Sequence, residues 1–213
     1  MKDWSPDNPK AGLMARKRGQ ILAAARERFL KTGYEGTSME EIAAAADVSI
    51  MTLYRHAESK DDLFAAVIAS VCDPGSEDEE AGFAALMKKP LAHVLAAIGV
   101  RIQQDLTKAD TVALLRTVMA ETVRFPQLAE MAYRSLVGHF EGFVGHILSE
   151  KPESAGASEA IRKQLASRFV DQLIGTDVLR VLLGLSGLSP AEQQRRAEQA
   201  SAIIVAQLPA VVA

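Results

Sequence analysis

The sequence predicts an all-α protein, on two observations. Nearly every apolar run repeats at helical spacing, and no stretch of four to eight residues alternates apolar and polar side chains or is dominated by β-branched ones. Helix start signals, a Ser followed three residues later by an acid, recur at Ser38, Ser59 and Ser189. With 213 residues the chain has room for one or two domains and a sizeable core, and its 48% hydrophobic and 24% charged composition excludes a disordered or low-complexity protein.

Residues 1–13 hold Pro6, Pro9 and Gly12 among polar neighbours and read as a disordered arm. The first helix is predicted from Met14 to Thr32, with Ile21, Leu22, Ala25 and Phe29 on one stripe and Gly33 as its left-handed stop. Ser38 and Glu41 open a short helix carrying Met39, Ile42 and Ala43 inward. Asp47 and Val48 make a tight turn, and Ser49 caps a second short helix through Tyr54 or His56. Ser59 and Asp62 start a third toward Cys72. Two short helices joined by so tight a turn form a helix-turn-helix, in which the alanine-rich first helix lets the second cross closely.

Beyond Asp73-Pro74-Gly75 the patterns lengthen. Pro90 starts a helix with Leu91, Val94, Leu95, Ile98 and Ile102 on one face. A second covers Thr111–Val123, and a third, 127–150, repeats Leu128, Met131, Leu136, Phe140, Phe143 and Ile147. A long helix carries Ile161, Leu165, Phe169, Leu173, Val178, Val181 and Leu182. The last opens at Ser189-Pro190-Ala191-Glu192 and presents Ala197, Ala200, Ile204 and Leu208. The expected organisation is an arm (1–13), a three-helix domain with the helix-turn-helix (14–73) and a helical domain (74–213).

Charge is unevenly placed. From Lys10 to Lys31 seven basic residues face one acid, Glu27, so this segment carries +6 while the whole chain carries −3. That asymmetry points to a basic contact surface on an otherwise acidic molecule. No apolar run is long enough to span a bilayer, the N-terminal residues lack a signal-peptide core, and the single cysteine, Cys72, cannot build a disulfide framework. A cytoplasmic protein is expected.

The stretches ILAAARERFLKTGYEGTSMEEIAAAADVS, TLYRH and SKDDLF resemble, in order and spacing, the N-terminal DNA-binding domain of the tetracycline-repressor (TetR/AcrR) family of transcriptional regulators. The run LLRTVMAETVRFPQLAEMAYR resembles the regulatory domain of one subgroup of that family. The resemblance implies a homodimer that binds a pseudo-palindromic double-stranded operator and is released by a small molecule. In such a motif the second helix enters the major groove while helix ends hold phosphates. The expected DNA contacts are therefore Thr37 and Ser38 at the first helix start, Ser49, Ile50, Met51, Thr52, Tyr54, Arg55 and His56 on or beside the second, and Lys60 as a phosphate clamp. Thr52 and Tyr54 match positions that touch DNA in the family. Ile50 and Met51 depart from its pattern, replacing a polar or basic residue and a glycine, and Ala57 replaces an aromatic.

For the small apolar or amphipathic effector, Met119, Phe125, His139, Phe140 and Phe143 supply adaptable surface. For the dimer interface, the stripes of the last two helices supply Phe169, Leu173, Val178, Leu182, Ala197, Ala200, Ile204 and Leu208. Enzyme signatures are lacking: there is no nucleophile-elbow serine, phosphate loop or metalloprotease His-Glu pair, and no catalytic residue, metal or cofactor is expected. The rival reading is an all-α enzyme or small-molecule carrier that binds no DNA.

Overall fold

The computed structural model describes residues 9–70 and 77–209, and of residues 9–13 and 77–80 the backbone alone. Among these residues the fold is helical without strands. The elements are α1 (Pro9–Thr32), α2 (Met39–Ala45), α3 (Ile50–Tyr54), α4 (Lys60–Ala69), α5 (Glu77–Leu86), α6 (Leu91–Thr107), α7 (Ala109–Glu121), α8 (Gln127–Tyr133), α9 (His139–Glu150), α10 (Glu159–Leu182) and α11 (Pro190–Ala206). Residues 1–8, the Asp73-Pro74-Gly75 break and Cys72 lie outside the described residues.

Three expectations about the elements are corrected. The first helix starts at Pro9 rather than Met14, because a proline at the first helical position has its φ preset and loses no needed N–H. The helix expected over 127–150 is interrupted by a π-helical turn at Arg134–Gly138. The long helix is broken at Gly175, whose φ of 45° and ψ of −156° only glycine tolerates comfortably.

The chain divides into two compact units, and the division is not the single cut expected near residue 73. One unit comprises residues up to Ser70 together with Ala113–Ala132; the other comprises Val71–Val112 and Tyr133–Ala213. In the first, Phe29, Ile42, Leu53 and Phe64 are fully buried, and the Phe29 and Phe64 rings meet edge to face at 4.8 Å. The returning segment joins through Phe125, whose ring meets Tyr34 at 5.3 Å, and through the paired side chains of Arg124 and Glu35.

The second unit is built around the contact of α6 with α11. A β-carbon added to Gly99 of α6 would lie 2.9 Å from the Ala197 methyl and 3.2 Å from both Leu173 and Phe169, so glycine is what lets these helices approach. Gln103 Nε2 donates to the Gln193 carbonyl at 2.9 Å and Ser201 Oγ to the Ala92 carbonyl at 2.7 Å, fixing the register of the pair. This packing corrects the assignment of five of the eight expected interface residues of α10 and α11. Phe169, Leu173, Ala197, Ala200 and Ile204 are all at most 1% exposed within the single chain. Val178, Leu182 and Leu208 are half-buried.

Candidate nucleic-acid interface

The helix starts of the motif are capped by serine side chains, and the ends of α1 and α2 are closed by backbone N–H groups in tight turns. Gly33, at φ 74°, ends α1 and returns its N–H to the Phe29 carbonyl. Ser38 Oγ accepts from the Glu41 N–H while the Glu41 carboxylate accepts from the Ser38 N–H, a complete capping box. That backbone bond holds the Glu41 carboxyl below its usual range. The turn that follows depends on Asp47, at φ 52°, with the Val48 N–H donating back to Ala43 at 3.0 Å. Ser49 then caps α3 by accepting from the Thr52 N–H at 3.2 Å.

Helix α3 is anchored by one residue, Leu53, which is completely buried. The opposite side presents Met51, 67% exposed, and Tyr54, 45% exposed, with the exposed Arg55 at the C-cap. Positions 51, 54 and 55 share one helix face, so a thioether, a phenol and a guanidinium project together. Thr52, Ile50 and His56 are half-buried, and Ser49 is exposed with its hydroxyl 2.9 Å from that of Thr52. Ala57 is buried, in the place where the family pattern has a larger ring. This surface can meet base edges and phosphates: an arginine contributes charge and paired donors, a tyrosine one hydroxyl, and Met51 and Ile50 apolar contact of the kind that suits a thymine methyl.

Two of the expected contacts are corrected. Thr37 is 2% exposed and its hydroxyl donates to the Gly33 carbonyl at 2.7 Å, so it closes the α1–α2 turn and faces no solvent. Lys60 is turned inward. Its Nζ donates to the carbonyls of Tyr34 at 2.9 Å and Thr37 at 3.0 Å and lies 4.4 Å from the centroid of the Tyr34 ring. The charge expected to hold a phosphate instead ties the start of α4 to the α1–α2 turn, an arrangement invisible to local spacing because the partners are more than twenty residues apart.

The five expected effector residues are divided between the two units. Met119 and Phe125 belong to the first unit, His139, Phe140 and Phe143 to the second. Phe125 is engaged by Tyr34, Phe143 faces Phe83 at 5.4 Å, Phe140 is 3% exposed, and Met119 and His139 lie at the surface. Sequence reasoning misses instead a groove of about 570 Å³ on the second unit. Gly138, Gly142 and Gly145 line one wall, with Glu159, Arg162 and Lys163 on the start of α10 opposite. The glycine spacing of four and three is its only signal in the sequence. Among the described residues no cluster of three or more candidate metal ligands forms.

Comparison with known proteins agrees with this geometry. Residues 21–67 match the family of bacterial regulatory proteins of the tetR type, and residues 93–207 match the C-terminal domain of AefR-like transcriptional repressors. The transcriptional regulator TcmR of Streptomyces glaucescens is 30% identical over 71% of this chain and 62% of its own length. The transcriptional activator FasR of Mycolicibacterium smegmatis is 48% identical over 24% of each chain. This chain therefore spans less than two thirds of either relative. Among solved structures, a protein of Mesorhizobium loti MAFF303099 assigned to the TetR family superposes with a TM-score of 0.65 at 26% identity, over 91% of this chain and 96% of that one. The flavonoid-responsive regulator FrrA gives 0.57 at 25% identity, over 90% and 96%. With both halves matched, and the second match alone spanning more than half of the residues, the chain belongs to the TetR family of DNA-binding transcriptional regulators.

Proposed function

We propose that the protein is a homodimeric repressor that binds a pseudo-palindromic operator and leaves it when a small apolar or amphipathic molecule occupies the helical unit. The observation that carries this reading is the capped five-residue α3, anchored by Leu53 and presenting Met51, Tyr54 and Arg55 on one open face. A helix this short covers few base pairs, so sequence selectivity requires two copies in successive major grooves. Repression is supported by the match of the C-terminal half to AefR-like repressors, since the match to an activator covers only a short segment. An amphipathic effector is supported by the likeness to a regulator named for its response to flavonoids. For the second copy, Leu179, Leu183 and Leu185 offer apolar side chains more than half exposed at the end of α10 and just beyond it. The protein acts in the cytoplasm, without a catalytic residue, metal or cofactor.

Gel retardation with duplexes from the region upstream of the protein's own gene tests the reading. A sequence-selective, salt-sensitive complex with two chains per duplex is expected. Binding that is absent, or equal for every sequence, overturns it and favours a helical carrier.

A further inference from the structure

Helix α1 is longer than the domain it serves. Among its described side chains the first core residue is Ile21, and every residue from Met14 to Gln20 is exposed. The family match also begins at residue 21, so this helical extension lies outside the shared domain. It carries Arg16, Lys17 and Arg18, with no acidic residue between Met14 and Glu27. None of the three cations has an ion-pair or hydrogen-bond partner among the described residues.

We infer that this extension is a second, sequence-independent contact with the phosphate backbone of duplex DNA, flanking the stretch that α3 reads. The inference rests on the proposed operator binding and adds a surface to it. Charge complementarity selects the partner: duplex DNA offers one negative charge about every 1.7 Å of its axis, and each cation placed there releases bound counterions. Reach supports the flanking position. At a rise of about 1.5 Å per residue, α3 covers only about 7.5 Å, whereas Arg16 stands about 24 Å up the α1 axis from Thr32, which borders the motif. Because α1 is continuous from Pro9 to Thr32, the cations are held on a helix joined to the motif, and less ordering is needed on binding than for a loose arm. Arg16, Lys17 and Arg18 thereby set affinity and its salt dependence, while α3 sets sequence.

The test compares the full chain with its R16Q/K17Q/R18Q variant on the selected operator and on a mixed-sequence duplex across a salt series. Each phosphate left without its cation takes about 0.9 off the slope of log affinity against log salt, so the variant's slope should be shallower by up to about 2.7 per chain. The weakening should be equal on both duplexes, leaving their affinity ratio intact, and the melting temperature should not move. R16K/R18K should keep the parent slope, because charge and not guanidinium geometry is used. An unchanged slope in the glutamine variant overturns the inference while leaving operator binding standing. A glutamine variant that binds DNA as the parent does but no longer binds phosphatidylglycerol vesicles, to which the parent does bind, also overturns it and assigns the surface to a membrane. A parent that binds no duplex selectively overturns the operator reading itself.

Discussion

The ammonium of Lys60 lies 4.4 Å above the Tyr34 ring and donates to the Tyr34 carbonyl at 2.9 Å, so one residue at the start of α4 holds both the side chain and the backbone of the α1–α2 turn. Tyr34 in turn donates its hydroxyl to Asp61. Lys60→Met should therefore reduce stability, by about 1.5–3 kcal/mol for the missing charge-assisted hydrogen bonds, and lower the urea midpoint. A lysine serving as a phosphate clamp would leave that midpoint unchanged and alter only the salt slope of DNA binding.

Tyr54→Ala should do the opposite. Its ring is exposed and anchors nothing, so the melting temperature should stay fixed while operator affinity falls at every salt concentration. Arg55→Gln should weaken binding too, and flatten the salt slope by about 0.9 per chain if the guanidinium meets a phosphate.

Ile50 is half-buried, which puts two roles in competition. Ile50→Lys should steepen the salt slope by about 0.9 per chain with an unaltered melting point if the side chain faces the groove. A lowered melting point without a steeper slope would show that it packs the motif from within.

Gly99→Ala places a methyl 2.9 Å from the Ala197 methyl, between fully buried Phe169 and Leu173. Overpacking there should destabilise the second unit by about 1–3 kcal/mol, read as a lower thermal midpoint. By contrast, Leu179→Glu with Leu183→Glu alters exposed positions and should yield folded monomers on sedimentation; persistence of a dimer would move the interface elsewhere.

Acid should loosen the start of α6. The Glu153 carboxylate accepts the Leu91 N–H at 2.8 Å, and this bond holds its carboxyl below the usual 4.5. A carboxylate with a lowered folded pKa stabilises the fold above its unfolded value and loses that contribution as pH falls through the folded one. Glu153→Gln keeps an acceptor oxygen at every pH, so its stability should decline less between pH 4.5 and the acid limit, as followed by circular dichroism.

What the sequence discloses is local. Ser38 with Glu41 and Ser189 with Glu192 announce capping boxes, and both are formed, because a cap needs only residues three apart. Apolar stripes announce which faces of α10 and α11 are covered, and cannot say by what. Phe169 and Ile204 have the periodicity of an interface and the burial of a core, because a buried stripe reads the same whether its partner is another helix of the chain or a second copy. Lys60 and Phe125 defeat local reading for the same reason: their partners at Tyr34 lie far away in sequence, and only the folded chain chooses between a carbonyl, a ring and a ligand.

The membership of Ala113–Ala132 in the first unit bears on how such regulators can be recombined. A gene fragment ending at Ser70 encodes the reading helices without Phe125 and Arg124, leaving one side of Tyr34 and the Glu35 carboxylate without their partners. Chimeras that exchange only the first seventy residues thus graft a foreign α1–α2 turn onto this chain's own 113–132 segment. Success in such swaps should follow the match at positions 34, 35, 124 and 125 more closely than overall identity, because the specificity module is stitched from two separated stretches of one gene.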